Sequence, residues 1–184
     1  MEFSHITTRG GDEGKTSLIN GERRYKDELV FEVLGGLDEL SSYLGLARAG
    51  AGVADFRGSS ELSIRLHIIQ KKLIVLGGQV ATPPPLKATS SIEQADVDEL
   101  EAWQMSLMDD LLIKQFIIPG ATELSARLDL ARAVARRTER HMVHFIRTSH
   151  ALGFEAAGRW INRLSDFLFV AARDVVPKVS SDDY

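Results

Sequence analysis

The chain has 184 residues, 44% of them hydrophobic, which is enough for one domain with a sizeable core. Its net charge of −4 argues against a nucleic-acid partner, and the lack of cysteine excludes disulfides, thiolate metal sites and thiol catalysis. No apolar stretch is long enough to span a bilayer, and the opening Met1-Glu-Phe-Ser-His5 lacks the pattern of a secretory signal. The expectation is a soluble, cytoplasmic protein with no membrane partner.

The first 25 residues carry no apolar periodicity. From Thr7 to Leu18 the chain is rich in glycine and hydroxyls, and backbone amides with hydroxyls make a natural phosphate cradle. Composition by itself favours a loose N-terminal arm. Gly14-Lys15-Thr16 supplies the end of a P-loop, but Arg9 stands where its leading glycine belongs. A buried strand before it and a helix directly after it are also missing, so a nucleotide site here is not of the Walker kind.

Five helices follow, and no strand is expected. The first runs from about Asp27 to Arg48 on a seam of Val33, Leu37, Leu40, Leu44 and Ala47. The second covers roughly Ser59 to Gly77, where Gly77-Gly78 and then Pro83-Pro84-Pro85 predict a break and a loop. Ser90-Ser-Ile-Glu93 reads as a capping box opening a third helix to about Lys114. Phe116-Ile-Ile-Pro-Gly120 is an extended connection, because Pro119 disfavours helical geometry at Ile118. The fourth helix spans about Thr122 to Thr148 and the fifth about Glu155 to Asp174. Long helices with short connectors specify an all-α, five-helix antiparallel bundle. The domain is expected to cover 1–184, with a phosphate-binding segment over 1–25, the bundle over 26–174 and a loose tail over 175–184.

The fourth helix is the most informative. Leu124, Leu128, Ala131, Ala135, Thr138, Met142 and Phe145 form one seam, and Arg132, Arg136 and Glu139 fall together on one flank of it. Guanidinium forks at the edge of a core suit a polyanion such as a nucleoside triphosphate. A solvated face with internal ion pairs is the competing explanation. No metal site is expected: the one Glu-x-x-His spacing, Glu2 to His5, lies outside the helices, and His141 and His144 have no evident carboxylate companion.

Four separated blocks resemble the PduO-type ATP:cob(I)alamin adenosyltransferases, in order and over nearly the whole chain. They are Thr8-Arg-Gly-Gly-Asp-Glu-Gly-Lys-Thr16; Gly21-Glu-Arg-Arg-Tyr-Lys-Asp27 leading into Gly36-Leu-Asp-Glu-Leu40; Phe116-Ile-Ile-Pro-Gly120 with Arg132 to Glu139; and Asn162-Arg-Leu-Ser-Asp-Phe-Leu168. The resemblance implies a homotrimer with active sites between subunits, in which ATP (as its magnesium complex) gives its 5′-deoxyadenosyl group to the cobalt of cob(I)alamin. It implies that Thr8, Arg9, Gly10, Gly11, Thr16, Ser17 and Lys26 bind the phosphates, and that Arg136, Arg137, Glu139, Arg140 and Asn162 hold the nucleotide. It further implies that Arg132 pairs with Asp38 across the interface near the corrin, and that Phe116 displaces the lower axial ligand of cobalamin. A reductase and an adenosylcobalamin-dependent acceptor enzyme are the partners it suggests. Gly10, Gly36, Leu37 and Gly120-Ala-Thr122 depart from the commoner family pattern. Two other readings compete: a non-catalytic bundle that binds ATP or a partner protein, and a P-loop phosphotransferase, which the missing glycine and strand disfavour.

Overall fold

The computed structural model describes residues 9–54, 58–108, 111, 116–149 and 151–177. Two short strands, β1 (Lys15–Ser17) and β2 (Arg23–Tyr25), precede five helices: α1 (Leu29–Val53), α2 (Ser59–Val80), α3 (Gln94–Met108), α4 (Glu123–Ser149) and α5 (Glu155–Asp174). Successive helices alternate in direction. α1 packs on α2, where Gln70 donates to the Ser41 carbonyl, and on α4, where Arg127 donates to the Leu46 carbonyl. α5 lies antiparallel to α4, and α3 lies beside α5 and parallel to it, since Gln94 meets Arg159 and Glu101 meets Arg163. Ion pairing of Lys72 with Asp96 and a hydrogen bond from Arg65 to Ser106 bring α3 back to α2. The enclosed core is built on Trp160, Phe167, Leu40, Leu44, Leu66, Ile69, Leu128 and Met142, all at 2% exposure or less.

The two strands lie in the first 25 residues, where the sequence predicts an irregular segment and no strand. β1 and β2 form an antiparallel hairpin with Lys15 opposite Tyr25 and Ser17 opposite Arg23. Three-residue strands carry too little alternation to be read from sequence. Tertiary contacts hold this one: Leu18 is buried in the core, the Ile19 amide donates to the Ala81 carbonyl, and Gly21 turns the chain at φ +81°. The loose arm favoured by composition is therefore not what residues 9–25 form.

Four helix ends also differ from expectation. α1 continues beyond Arg48 to Val53. α2 runs through Gly77-Gly78 to Val80, because burial of Gln79 and Val80 outweighs a glycine cost of about 1 kcal/mol each. α3 stops at Met108, and Leu111 is not helical; the remaining residues of the expected stretch to Lys114 lie outside the described ones. Its start is one turn later than Ser90: the Glu93 amide donates to the Asp96 carboxylate and the Asp96 amide to the Glu93 backbone carbonyl, so the first turn closes on Glu93 and Asp96. α4 begins with a reciprocal pair of its own, Thr122 and Ser125 each bonding the other's amide.

α1 and α4 approach closely at Gly36. A β-carbon there would lie 2.8 Å from the Thr138 hydroxyl oxygen, a buried group that donates to the Val134 carbonyl. Glycine at this position is a packing requirement of the helix pair.

Candidate active site

The buried seam of α4 leaves two flanks, and its arginines divide between them. Arg137 faces α1 and pairs with Glu39, whose carboxylate pushes the guanidinium pKa up. Arg132, Arg136 and Glu139 share one flank, as their spacing predicts, and that flank faces α5. Arg136 lines two adjoining cavities there. One, about 310 Å³, is bounded by Arg136, Glu139, Arg140, Val143 and Asn162. The other, about 240 Å³, has Arg132 and Arg136 facing Ser165, Asp166 and Phe169 of α5, with Gln104 and Met108 of α3 at its edge. The Arg136 guanidinium makes no hydrogen bond or ion pair among the described residues. Arg140 reaches back to donate to the Arg136 carbonyl at 3.1 Å.

The floor between these arginines is fixed by a chain of side chains from three helices. The Asn162 amide nitrogen donates to Glu139 at 2.8 Å, while its oxygen accepts from Arg163 at 2.8 Å. Arg163 in turn donates to Glu101 of α3 at 2.6 Å. With both ends of the Asn162 amide engaged, its orientation is set by its partners. Arg163 and Glu101 were not among the expected site residues, although Arg163 belongs to the Asn162–Leu168 block.

The second group of expected residues sits on the hairpin. Residues 9–14 fold back in consecutive turns: the Asp12 amide donates to the Arg9 carbonyl, the Gly14 amide to Gly11, and the Lys26 amide to Gly14. Lys26 also donates from its ammonium to the Gly11 carbonyl at 2.8 Å, and Arg23 donates to the Gly10 carbonyl. Thr16 and Ser17 follow on β1. Cations, small residues and hydroxyls are thus gathered on one loop, and Arg23 is an addition that the sequence reading missed. Thr8 lies outside the described residues.

Besides Arg137, two expected residues stand apart from both groups. Asp38 is exposed on α1, and its carboxylate has no partner among the described residues. Phe116 is fully exposed between α3 and α4. Among the described residues, neither an ion pair nor a hydrogen bond joins the hairpin group, the α4–α5 group and Asp38 within one chain. A larger cavity, about 550 Å³, lies at the hairpin end of the bundle against Leu18, Val30, Val80 and Phe154, and holds none of these residues. Among the described residues no helix is long and apolar enough to cross a membrane, and no cluster of three or more His, Asp or Glu could hold a metal ion.

Fold and site define a five-helix bundle with an arginine-lined groove between its last two helices. The family model for cobalamin adenosyltransferases matches residues 6–175. The chain belongs to that family. It is 37% identical to the corrinoid adenosyltransferase of Citrobacter freundii, over 91% of this chain and 93% of the relative, and 34% identical to that of Bacillus subtilis, over 92% and 86%. Among solved structures it is similar to a variant PduO-type ATP:corrinoid adenosyltransferase from Lactobacillus reuteri complexed with cobalamin and ATP. That likeness has a TM-score of 0.82 at 32% identity, covering 92% of each chain.

Proposed function

We propose that the α4–α5 groove and the hairpin loop are two halves of one ATP site, brought together from neighbouring subunits of a homotrimer. The enzyme is a corrinoid adenosyltransferase: cobalt(I) of the corrinoid attacks C5′ of ATP, a cobalt–carbon bond forms, and the C5′–oxygen bond breaks with its electron pair leaving on triphosphate. Cob(I)alamin is itself a strong nucleophile, so the protein has to align C5′ with cobalt and stabilise the departing charge. Arg136 and Arg140, with the Glu139–Asn162 floor, hold the nucleotide from one side. Arg9, Gly10, Gly11, Thr16, Ser17 and Lys26 close on the phosphates from the other, joined by Thr8 and by the magnesium ion that ATP carries with it. Arg137, engaged by Glu39, contributes from the opposite flank of α4. Asp38 and Arg132 pair across the interface beside the corrin, and Phe116 supplies an apolar wall that excludes the lower axial ligand and makes Co(II) reducible. The whole chain serves as a single cytoplasmic adenosyltransferase domain, taking electrons from a reductase and passing its product to an adenosylcobalamin-dependent enzyme.

The observation that carries this reading is Arg136, whose guanidinium is unpaired among the described residues, lines both groove cavities and lies beside a pre-set amide. The separation of the hairpin, groove and Asp38 groups within one chain supports assembly from neighbours. Arg136→Ala should remain folded, because no core group is lost, yet weaken ATP use. Losing a charge-assisted hydrogen bond costs about 1.5–3 kcal/mol, roughly one to two decades in KM for ATP or in kcat. The corrin absorbance change with ATP, magnesium and reduced cobalamin measures it. Unaltered ATP kinetics in that variant would refute the site.

A further inference from the structure

Behind Arg132 lies a buried charge cluster with no place in the expected site. Asp129 of α4 is 4% exposed and accepts a hydrogen bond from Arg173 of α5, whose side chain is itself 9% exposed. The other carboxylate oxygen lies 3.5 Å from Nε of Arg132, and neither of those two atoms makes a hydrogen bond among the described residues. Both guanidiniums stand over the ring of Phe169, Arg173 at 4.9 Å and Arg132 at 6.0 Å from its centroid.

One buried carboxylate therefore serves two arginines unequally. Arg173 takes the direct bond and offsets the cost of burying the Asp129 carboxylate. Arg132 is drawn by the remaining field of the carboxylate and by the ring face, both of which act on it without a hydrogen bond. Its side chain stays 28% exposed and lines the smaller groove cavity. An arginine anchored in this way loses rotamer freedom before a ligand arrives, while its terminal nitrogens have no partner among the described residues. The cluster keeps one positive charge in excess, which an incoming carboxylate can complete.

We propose that Asp129 is a positioning residue for Arg132: together with Arg173 and Phe169 it presets the guanidinium that meets the corrin side of the site. The inference rests on the reading of Arg132 given above. It predicts that Asp129 acts on corrinoid use through Arg132 alone, whereas a carboxylate that merely pairs with Arg173 for folding would act on stability whatever stands at 132.

Steady-state kinetics on the full-length protein, with ATP and cob(I)alamin as the varied substrates, provides the test. Asp129→Asn should raise KM for cob(I)alamin roughly tenfold, the low end for a lost charge-assisted contact, with KM for ATP unchanged. In an Arg132→Ala background the same substitution should add nothing. Should Asp129→Asn fail to fold, the pair Asp129→Leu with Arg173→Met takes its place, since it strands no buried charge, and the same KM pattern is expected of it. Native corrinoid KM in the Asp129 variant, or an equal further loss on both backgrounds, overturns the proposal while Arg132→Ala is still impaired. Native corrinoid KM in Arg132→Ala itself sinks the reading of Arg132, and the positioning role with it.

Discussion

The two flanks of α4 use the same residue types to opposite ends. Towards α1, helix meets helix at the Gly36–Thr138 contact, and Arg137 is engaged by Glu39. Towards α5, the contact opens into cavities, the Arg136 guanidinium has no partner among the described residues, and Asn162 is held by Glu139 and Arg163. A guanidinium that already has a carboxylate has less to offer an anion than one that has none. The difference between Arg136 and Arg137, one residue apart, thus comes from which neighbouring helix each of them faces.

The severest break of this contrast is at the proposed interface. Asp38→Asn and Arg132→Ala should each lose most activity, since stranding one partner of a desolvated charge pair costs about 2–5 kcal/mol. Mixed in equal parts and allowed to exchange, the two variants should regain activity, because about a quarter of the interfaces recover both native residues. No recovery after exchange is verified by mass spectrometry would reject the cross-subunit pairing.

Next in size is Phe116→Ala. Starting from cob(II)alamin with a protein reductant, the loss should be on the order of a hundredfold, as for a reacting centre no longer held in its geometry. With cob(I)alamin supplied chemically it should be much smaller, and the electron paramagnetic resonance signature of four-coordinate Co(II) should fade. Equal losses in both assays with that signature intact would reduce Phe116 to a packing residue.

Arg137→Ala sharpens the comparison directly. It removes an exposed ion pair, so KM for ATP should change by less than about threefold, well short of the Arg136→Ala effect. Matching losses in the two variants would erase the distinction between the flanks. A stability pair probes the packed side: Gly36→Ala forces a β-carbon against Thr138 and should cost about 1–2 kcal/mol in chemical denaturation, because overpacking outweighs the helix gain. Gly35→Ala meets nothing within 4 Å and should stabilise by up to about 1 kcal/mol. If both stabilised, α1 and α4 would not be in the contact described.

The smallest effect lies at the hairpin. Hydrogen bonds from Arg24 and then Asn20 hold the Glu22 carboxyl below the usual carboxylate range. A depressed folded-state pKa means that the contribution is present above the unfolded value and is lost as pH falls through the folded one. Titration by nuclear magnetic resonance should show this lowering, and Arg24→Ala should abolish most of it.

Much of this protein was legible in the sequence. The seams of α1, from Val33 to Ala47, and of α4, from Leu124 to Phe145, follow a 3.6-residue period, because burial of one stripe is a local constraint that every turn must satisfy. The same period put Arg132, Arg136 and Glu139 on one flank. What it could not say was which helix that flank would meet, nor that Arg137, only 100° further round, would meet Glu39 instead. The hairpin, the continuation of α2 through Gly77-Gly78 and the Asp129–Arg173 pair were likewise settled by contacts between segments far apart in the chain. Spacing along one helix determines direction, and direction becomes chemistry only when another element arrives opposite it.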